Sequence, residues 1–241
     1  MNRALYYLTD GYQNDAYSSE QNSGKSPLEN RLLIAYVDGV LFKESYNSIQ
    51  YLSDYAKRDS VDALAMIIDS PGGLVAGLME TCSELKEIGK PIYAYTSGMA
   101  CSAAYALASC ADRFYTSPSA DVGSVGARIM HIDISKALEE FGVKITEVGF
   151  GKRKTQFSPF HSLSKDDKKD LEEYVREAYD DFVRLVKKER VGVDDAVYES
   201  GVFSGKKALK MGLSDGIIST ENKFINFVKL VLDNRQSGVE S

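Results

Sequence analysis

Three short stretches of the chain carry residue types that could do covalent chemistry, and they come in a fixed order. The first is Asp69-Ser70-Pro71-Gly72-Gly73, which follows an apolar strand-like run. Its glycines allow backbone N–H groups to face a ligand with no Cβ in the way, as an oxyanion site needs, although S-P-G-G is also an ordinary tight connection. The second is Ser97-Gly98-Met99-Ala100-Cys101-Ser102-Ala103-Ala104-Tyr105, a strand exit that opens a helix of small side chains. A serine at such a helix start serves either as an N-cap, its commoner use, or as a nucleophile whose oxyanion the first helical amides stabilise. The third is Gly151-Lys152-Arg153-Lys154-Thr155, a loop of cations after another strand-like run. It reads as a solvated basic loop, or as the source of a lysine base.

A serine nucleophile needs a base, and the chain offers two kinds. Its two histidines are His131, in an apolar run, and His161, in a polar loop, and neither has a spacing that marks a Ser-His-Asp triad. A lysine can take the same proton if its surroundings favour the neutral amine, as in Ser-Lys enzymes. An ordinary lysine, with a pKa of ~10.4, is charged at neutral pH, so burial or neighbouring like charge has to lower that value. Arg153 and Lys152 would supply like charge in this loop.

The elements that must position these residues alternate. LLIAYV from Leu32, ALAMIID from Ala63 and IYAYT from Ile92 read as strands, as do Arg113–Thr116, Val125–Ile132 and Lys144–Val148. Helical spacing marks Tyr46–Arg58, Leu74–Ile88, Ser102–Cys110 and Ile134–Phe141. It is clearest over Asp166–Arg190, where Leu171, Tyr174, Val175, Ala178, Phe182, Leu185 and Val186 recur at three- and four-residue steps. Repeated β-α alternation implies an α/β fold with a mainly parallel sheet. Residues 1–30, rich in Asn, Ser, Gln and Tyr without sustained period, read as a mobile N-terminal arm. The folded domain then occupies 31–219, and 220–241 form a C-terminal helix and tail.

Composition narrows the function. The 241 residues are 44% hydrophobic and 27% charged, as in a folded globular protein, and the net charge of −6 disfavours a nucleic-acid partner. Cys82, Cys101 and Cys110 lack C-x-x-C spacing, which argues against a zinc site or disulfide framework and for a reducing compartment. No run approaches the ~20 apolar residues of a membrane span, and the N-terminal stretch does not read as a signal peptide. A cytoplasmic location is the expectation.

Taken together and in order, these stretches resemble the signal peptide peptidase family of serine proteases. The resemblance rests on Asp69–Gly73, Ala100–Tyr105, Ala111–Arg113, Gly123-Ser124-Val125-Gly126, Gly151–Lys154 and GVFSGKKALKMGLSDG from Gly201 to Gly216, and it covers 32–217. D-S-P-G-G-L-V-A-G, C-S-A-A-Y and H-I-D-I-S-K-A-L-E-E-F-G-V-K-I-T look closest to the phage capsid-assembly, or head-maturation, protease branch. One departure is G-K-R-K where relatives have G-A/S-H-K, which makes Lys152 a competitor for the base.

The resemblance implies a crotonase-like fold shared with Clp-type proteases, built from β-β-α units and assembled as a homo-oligomeric ring around an internal chamber. It implies Ser102 as nucleophile, Lys154 as general base and Ser124 as the group that orients the lysine. The backbone amides of Gly73 and Ala103 would form the oxyanion hole, and Gly72, Gly123 and Val125 would line an extended substrate. The long helix from Asp166 and the C-terminal helix would pack between copies. Neither metal nor organic cofactor is implied. Substrates would be phage scaffold and portal proteins inside a procapsid or, for a cellular paralogue, remnant signal peptides. An acyl-CoA enzyme of the crotonase type and a catalytically silent assembly protein are the other readings.

Overall fold

The structure is a computed structural model that describes residues 32–151 and 153–236, together with the backbone of Tyr6–Thr9. Lys152 and most of the N-terminal arm lie outside the described residues. The chain divides into two compact units, the first of Met1–Gly126 with Phe182–Ser241 and the second of Ala127–Asp181. In chain order the elements are β1 (Tyr6–Thr9), β2 (Leu32–Asp38), α1 (Lys43–Ala56), β3 (Ala63–Asp69), α2 (Leu78–Lys86), β4 (Ile92–Thr96), β5 (Met99–Cys101), α3 (Ala103–Ser109), β6 (Arg113–Thr116) and β7 (Asp121–Gly123). There follow α4 (Ser135–Glu140), α5 (Lys165–Glu189), β8 (Val202–Ser204), α6 (Gly205–Lys210), β9 (Gly216–Ile217) and α7 (Glu221–Gln236).

In the first unit a six-stranded sheet runs in the order β1-β2-β3-β4-β6-β9, parallel except for β1. Strand β1 falls inside the stretch read as a mobile arm and pairs Tyr6 with Ala35 at the sheet edge. The central strands are apolar at nearly every position because both faces are covered. Leu33, Ala35, Val37, Leu64, Met66 and Ile68 belong to the core shared with α1, α2 and α3, whereas Leu32, Ile34, Ala65, Ile67, Tyr93 and Tyr95 belong to a second core under α7. Helix α7 spends its apolar stripe there: Phe224, Val228 and Leu232 are buried, and Phe224 stacks on Tyr95 with centroids 5.1 Å apart. That stripe is used within the chain, and Leu230 on another side of α7 stays exposed.

A smaller sheet, β5-β7-β8, carries the chemistry-bearing turns. Its strands have three residues each, too short for a periodic signal, and the strand expected from Val125 is instead β7, ending at Gly123. Neither Val125–Ile132 nor Lys144–Val148 forms a strand. Beyond Val125, which is buried, Ile129, Met130, Ile132, Ile145 and Val148 stay exposed, so no buried face fixes a register.

Phe224 has no solvent exposure and joins α7 to the sheet through Tyr95 and Tyr115. Phe224→Ala should lower unfolding stability by about 3–5 kcal/mol, read as a shift in denaturant midpoint at constant slope. A loss under about 1 kcal/mol would mean that α7 is not a required cover for this face.

Candidate active site

Ser102 stands at the junction of β5 and α3 with φ 53° and ψ −127°. A non-glycine residue in that region is strained, and a sharp strand-to-helix turn is the geometry that lifts a nucleophile clear of its backbone. No side-chain cap bond is made there, so the N-cap reading of this serine does not hold. Its backbone is held instead: Ser102 N–H donates to Gly123 O at 2.8 Å, and Ala106 N–H donates to Ser102 O at 3.1 Å. Ala103 to Ser109 are all buried, with alanine at 103, 104, 106 and 108 beside the larger Tyr105 and Leu107.

The Asp69–Gly73 turn is fastened to the same place. Ser70 N–H donates to Met99 O and Cys101 N–H to Ser70 O, a parallel bridge that carries the end of β3 onto β5. The Ser70 hydroxyl, fully buried, donates to Gly39 O at 2.6 Å and accepts from Gly72 N–H at 3.1 Å. Asp69 accepts from Met99 N–H at 3.0 Å. Gly72 has φ +98°, and a Cβ there would lie 2.8 Å from Ser102 Cβ and 2.9 Å from Ala103 N. Glycine is therefore required by contact with the serine as well as by the turn. Leu41 O, which a Cβ on Gly73 would strike, takes its hydrogen bond from Leu74. The amides of Gly73 and Ala103 donate to no partner among the described residues; that of Ala103 is unpaired because it opens a helix.

Ser124 also has positive φ, 54°, and its N–H donates to Gly201 O at 2.7 Å. Gly123, with φ +120°, ends β7, and Val125 is buried with its carbonyl bonded to the Ser200 hydroxyl at 3.0 Å. The first unit thus brings Ser102, Ser124, Gly72, Gly73, Ala103, Gly123 and Val125 to one cluster of strand ends. Cys101 is a neighbour of the serine in sequence, but burial pushes its thiol up to about 11, so it stays protonated and unreactive. Ser200 escaped the reading of the sequence, because its contact with Val125 joins residues 75 positions apart.

The second unit carries the basic loop. Lys154 is exposed on a turn in which its N–H donates to Gly151 O at 3.1 Å. Arg153, expected to add like charge, is paired with Asp170 at 2.9 Å, and Gln156 donates to the same carboxylate at 2.5 Å. Both histidines brace this loop: His131 Nε2 contacts Ser158 O at 3.0 Å, and His161 Nε2 contacts Thr155 O at 2.8 Å. Among the described residues no cluster of His, Cys, Asp and Glu could hold a metal ion, and no helix is long and apolar enough to cross a membrane.

The chain matches peptidase family S49 over residues 84–236 and the Clp protease family over residues 26–140. The chain belongs to peptidase family S49. Capsid assembly protease C of Escherichia phage lambda is 31% identical over 80% of this chain and 45% of its own length. The putative signal peptide peptidase SppA of Enterococcus faecium is 30% identical over 75% of this chain and 55% of its own, and a putative protease of Methanocaldococcus jannaschii is 29% identical over 75% and 60%. The chain therefore spans 45% to 60% of the length of these S49-type relatives. In fold it is similar to a mutant of the 1510-N membrane-bound stomatin-specific protease, with a TM-score of 0.56 at 14% identity over 82% of this chain and 84% of that one. The expected Clp-protease-like α/β fold is borne out.

The loop bonds of this S49 member carry a pH dependence. Both ring nitrogens of His161 face carbonyls, Thr155 O and then Ser162 O, so its pKa is raised above 6.5. The hydroxyls of Ser135 and Ser162, with the Ser135 amide, hold Asp133 down at about 2. His161 therefore adds stability below pH 6.5 that is lost as pH rises through its folded pKa. Asp133 adds stability above 3.8 that is lost as pH falls toward 2. Hydrogen-exchange protection of residues 151–163, corrected for intrinsic rate, should be greatest between about pH 4 and 6.5 and fall toward pH 8. His161→Gln should flatten the upper limb; equal protection of the parent protein at pH 6 and 8 would refute this.

Proposed function

We propose that this chain is a serine endopeptidase with a Ser-Lys dyad. The observation that carries the reading is Ser102 in a strained strand-to-helix turn beside the two unpaired amides of Gly73 and Ala103. In this mechanism the Lys154 amine takes the Ser102 hydroxyl proton as Oγ attacks the scissile carbonyl, and Ser124 orients the amine. The oxyanion accepts hydrogen bonds from Gly73 N–H and Ala103 N–H, whose positions are set before the substrate arrives. Lys154 then gives its proton to the leaving amine as the C–N bond breaks, leaving an acyl-enzyme. Water attacks the ester, Lys154 takes the water's proton, and the ester bond breaks to release the acid and restore the serine. The substrate lies extended along Gly72, Gly123 and Val125, where main-chain bonds accept many sequences and side-chain pockets select among them.

For the biological role we infer processing of capsid-assembly proteins, scaffold and portal among them. The lambda capsid assembly protease and the head-tail preconnector protein of Enterobacteria phage P21, 30% identical over 73% of this chain, support it. The bacterial SppA match supports the alternative, cleavage of remnant signal peptides. Incubation with scaffold and portal proteins beside hydrophobic signal-peptide fragments separates the two.

Ser102→Ala and Lys154→Ala should each lower kcat/KM at least about a thousandfold with the fold intact, because each removes a proton-transfer or bond-forming role and no core volume. Lys152→Ala should retain activity. An inactive Lys152→Ala beside an active Lys154→Ala would move the base by two residues, and an active Ser102→Ala would end the serine-protease reading.

The same reading makes the chain a subunit of a homo-oligomeric ring. The second unit supports this with Met130 at 79%, Phe141 at 84%, Val148 at 88% and Phe150 at 98% exposure, more apolar surface than a solitary domain leaves to water. Light scattering should show a ring-sized assembly that Val148→Glu combined with Phe150→Glu dissociates. A fully active monomer would overturn the ring.

A further inference from the structure

The Gly212-Leu213-Ser214-Asp215 turn is tied to the helix that follows Ser102, directly through Leu213 and, by way of Arg190, through Asp215. Tyr105 of α3, with no solvent exposure, donates its hydroxyl to Leu213 O at 3.1 Å. Asp215 accepts from Phe114 N–H at 2.6 Å, while its own N–H donates to Phe114 O at 2.7 Å, so the carboxylate is fixed to β6. The same oxygen receives Arg190 Nη1 at 2.6 Å. Arg190 directly follows α5, is 6% exposed, and reaches across with Nη2 to Ala108 O at 2.9 Å and Ala111 O at 3.1 Å. Ala108 lies in the last turn of α3 and Ala111 just beyond it, where the helix dipole favours a cation.

Helix α3 is held at its start by Ser102 N–H on Gly123 O and at mid-length by Tyr105 on Leu213 O, and Arg190 holds its far end. Its side chains are mostly alanine, its first residue carries no cap, and Ser102 sits against its N-terminal end at positive φ. A slip of α3 along its axis would move Ser102 and the Ala103 amide together. We propose that Arg190, fixed by Asp215, is a positioning residue for Ser102: it holds the far end of α3 so that the serine and the first helical amide keep their places. This rests on the reading of Ser102 as the nucleophile. A misplacement of about 1 Å is enough to cost up to ~100-fold in rate, so a clamp on Ala108, six residues from Ser102, can matter as much as a contact. The role is geometric; the guanidinium does not touch the reacting atoms.

The test uses the full chain and a fluorophosphonate, which bonds phosphorus to Ser102 Oγ and releases fluoride. Arg190→Met should label at least about tenfold more slowly than the parent protein, measured well below its melting temperature and with unchanged circular dichroism. Arg190→Lys, which keeps the charge beside Asp215, should recover most of the rate. A residue that only stabilised the fold would lower the melting temperature of Arg190→Met and leave the labelling rate of the folded protein unchanged, and that result overturns the proposal. Equal slowing in Arg190→Lys and Arg190→Met would also overturn the charged clamp. If Arg190→Met does not fold, Asp215→Asn carries the same comparison, since it releases the guanidinium while keeping side-chain volume. Absence of labelling in the parent protein defeats the nucleophile reading instead. Hydrogen exchange over residues 100–107 then decides the clamp by itself: faster exchange in the folded variant supports it, and identical exchange refutes it.

Discussion

The backbone of Ser102 is the constraint around which the first unit is organised. A φ of 53° with ψ −127° costs an L-residue about 1–3 kcal/mol, and it persists only where the surroundings over-determine it. Here the surroundings are strand ends. β3 delivers Ser70, which bonds β5 on one side and holds Gly72 on the other; β7 delivers Gly123, whose carbonyl takes the Ser102 N–H. Gly72 closes against the serine Cβ, a contact no other residue would permit. Release of any one of these would let residue 102 relax toward an ordinary helix start.

That convergence depends on the parallel sheet beneath it. Strands β2, β3, β4 and β6 run the same way, so their carboxyl ends, with the turns that follow, gather on one edge, the place where open α/β sheets bind ligands. Such a sheet is stable only with both faces covered. α1, α2 and α3 cover one face and α7 the other, and α3 is shared between the two tasks: it fills the core with alanines and presents Ser102 at its start. A larger side chain in place of one of the buried alanines of α3 would improve neither task, because it would lift the helix from the sheet.

Much of this could be read from residue order. The runs LLIAYV, ALAMIID and IYAYT are strands at nearly the bounds expected, since continuous apolar text of that length between turn signals has few other uses. The turn at Asp69–Gly73 and the helix after Ser102 were equally legible. The three-residue strands β5, β7 and β8 were not, being shorter than any period. Nor was Arg190, whose position at the end of a long charged helix reads as solvent-facing until the fold brings Ala108 within 2.9 Å across 82 residues of chain. The runs at Val125–Ile132 and Lys144–Val148 erred the other way: their alternation is real, but a strand needs a neighbour, and the second unit provides none among the described residues.

Fold alone would leave the chemistry open, because a Clp-protease-like architecture with a pair of free amides suits any reaction that develops charge on a carbonyl oxygen. Residue 102 narrows it. An acyl-CoA enzyme of the crotonase type needs the amide pair and nothing reactive at the helix start, and a purely structural turn at φ 53° would be satisfied by glycine at no steric cost. This chain has serine there, uncapped and strained, with a thiol beside it that burial keeps protonated. An uncapped alcohol at a position that disfavours its own backbone, beside unpaired amides, supports the proposed serine-peptidase reading over the acyl-CoA one, because only the former would use residue 102 to carry an acyl group on the protein itself.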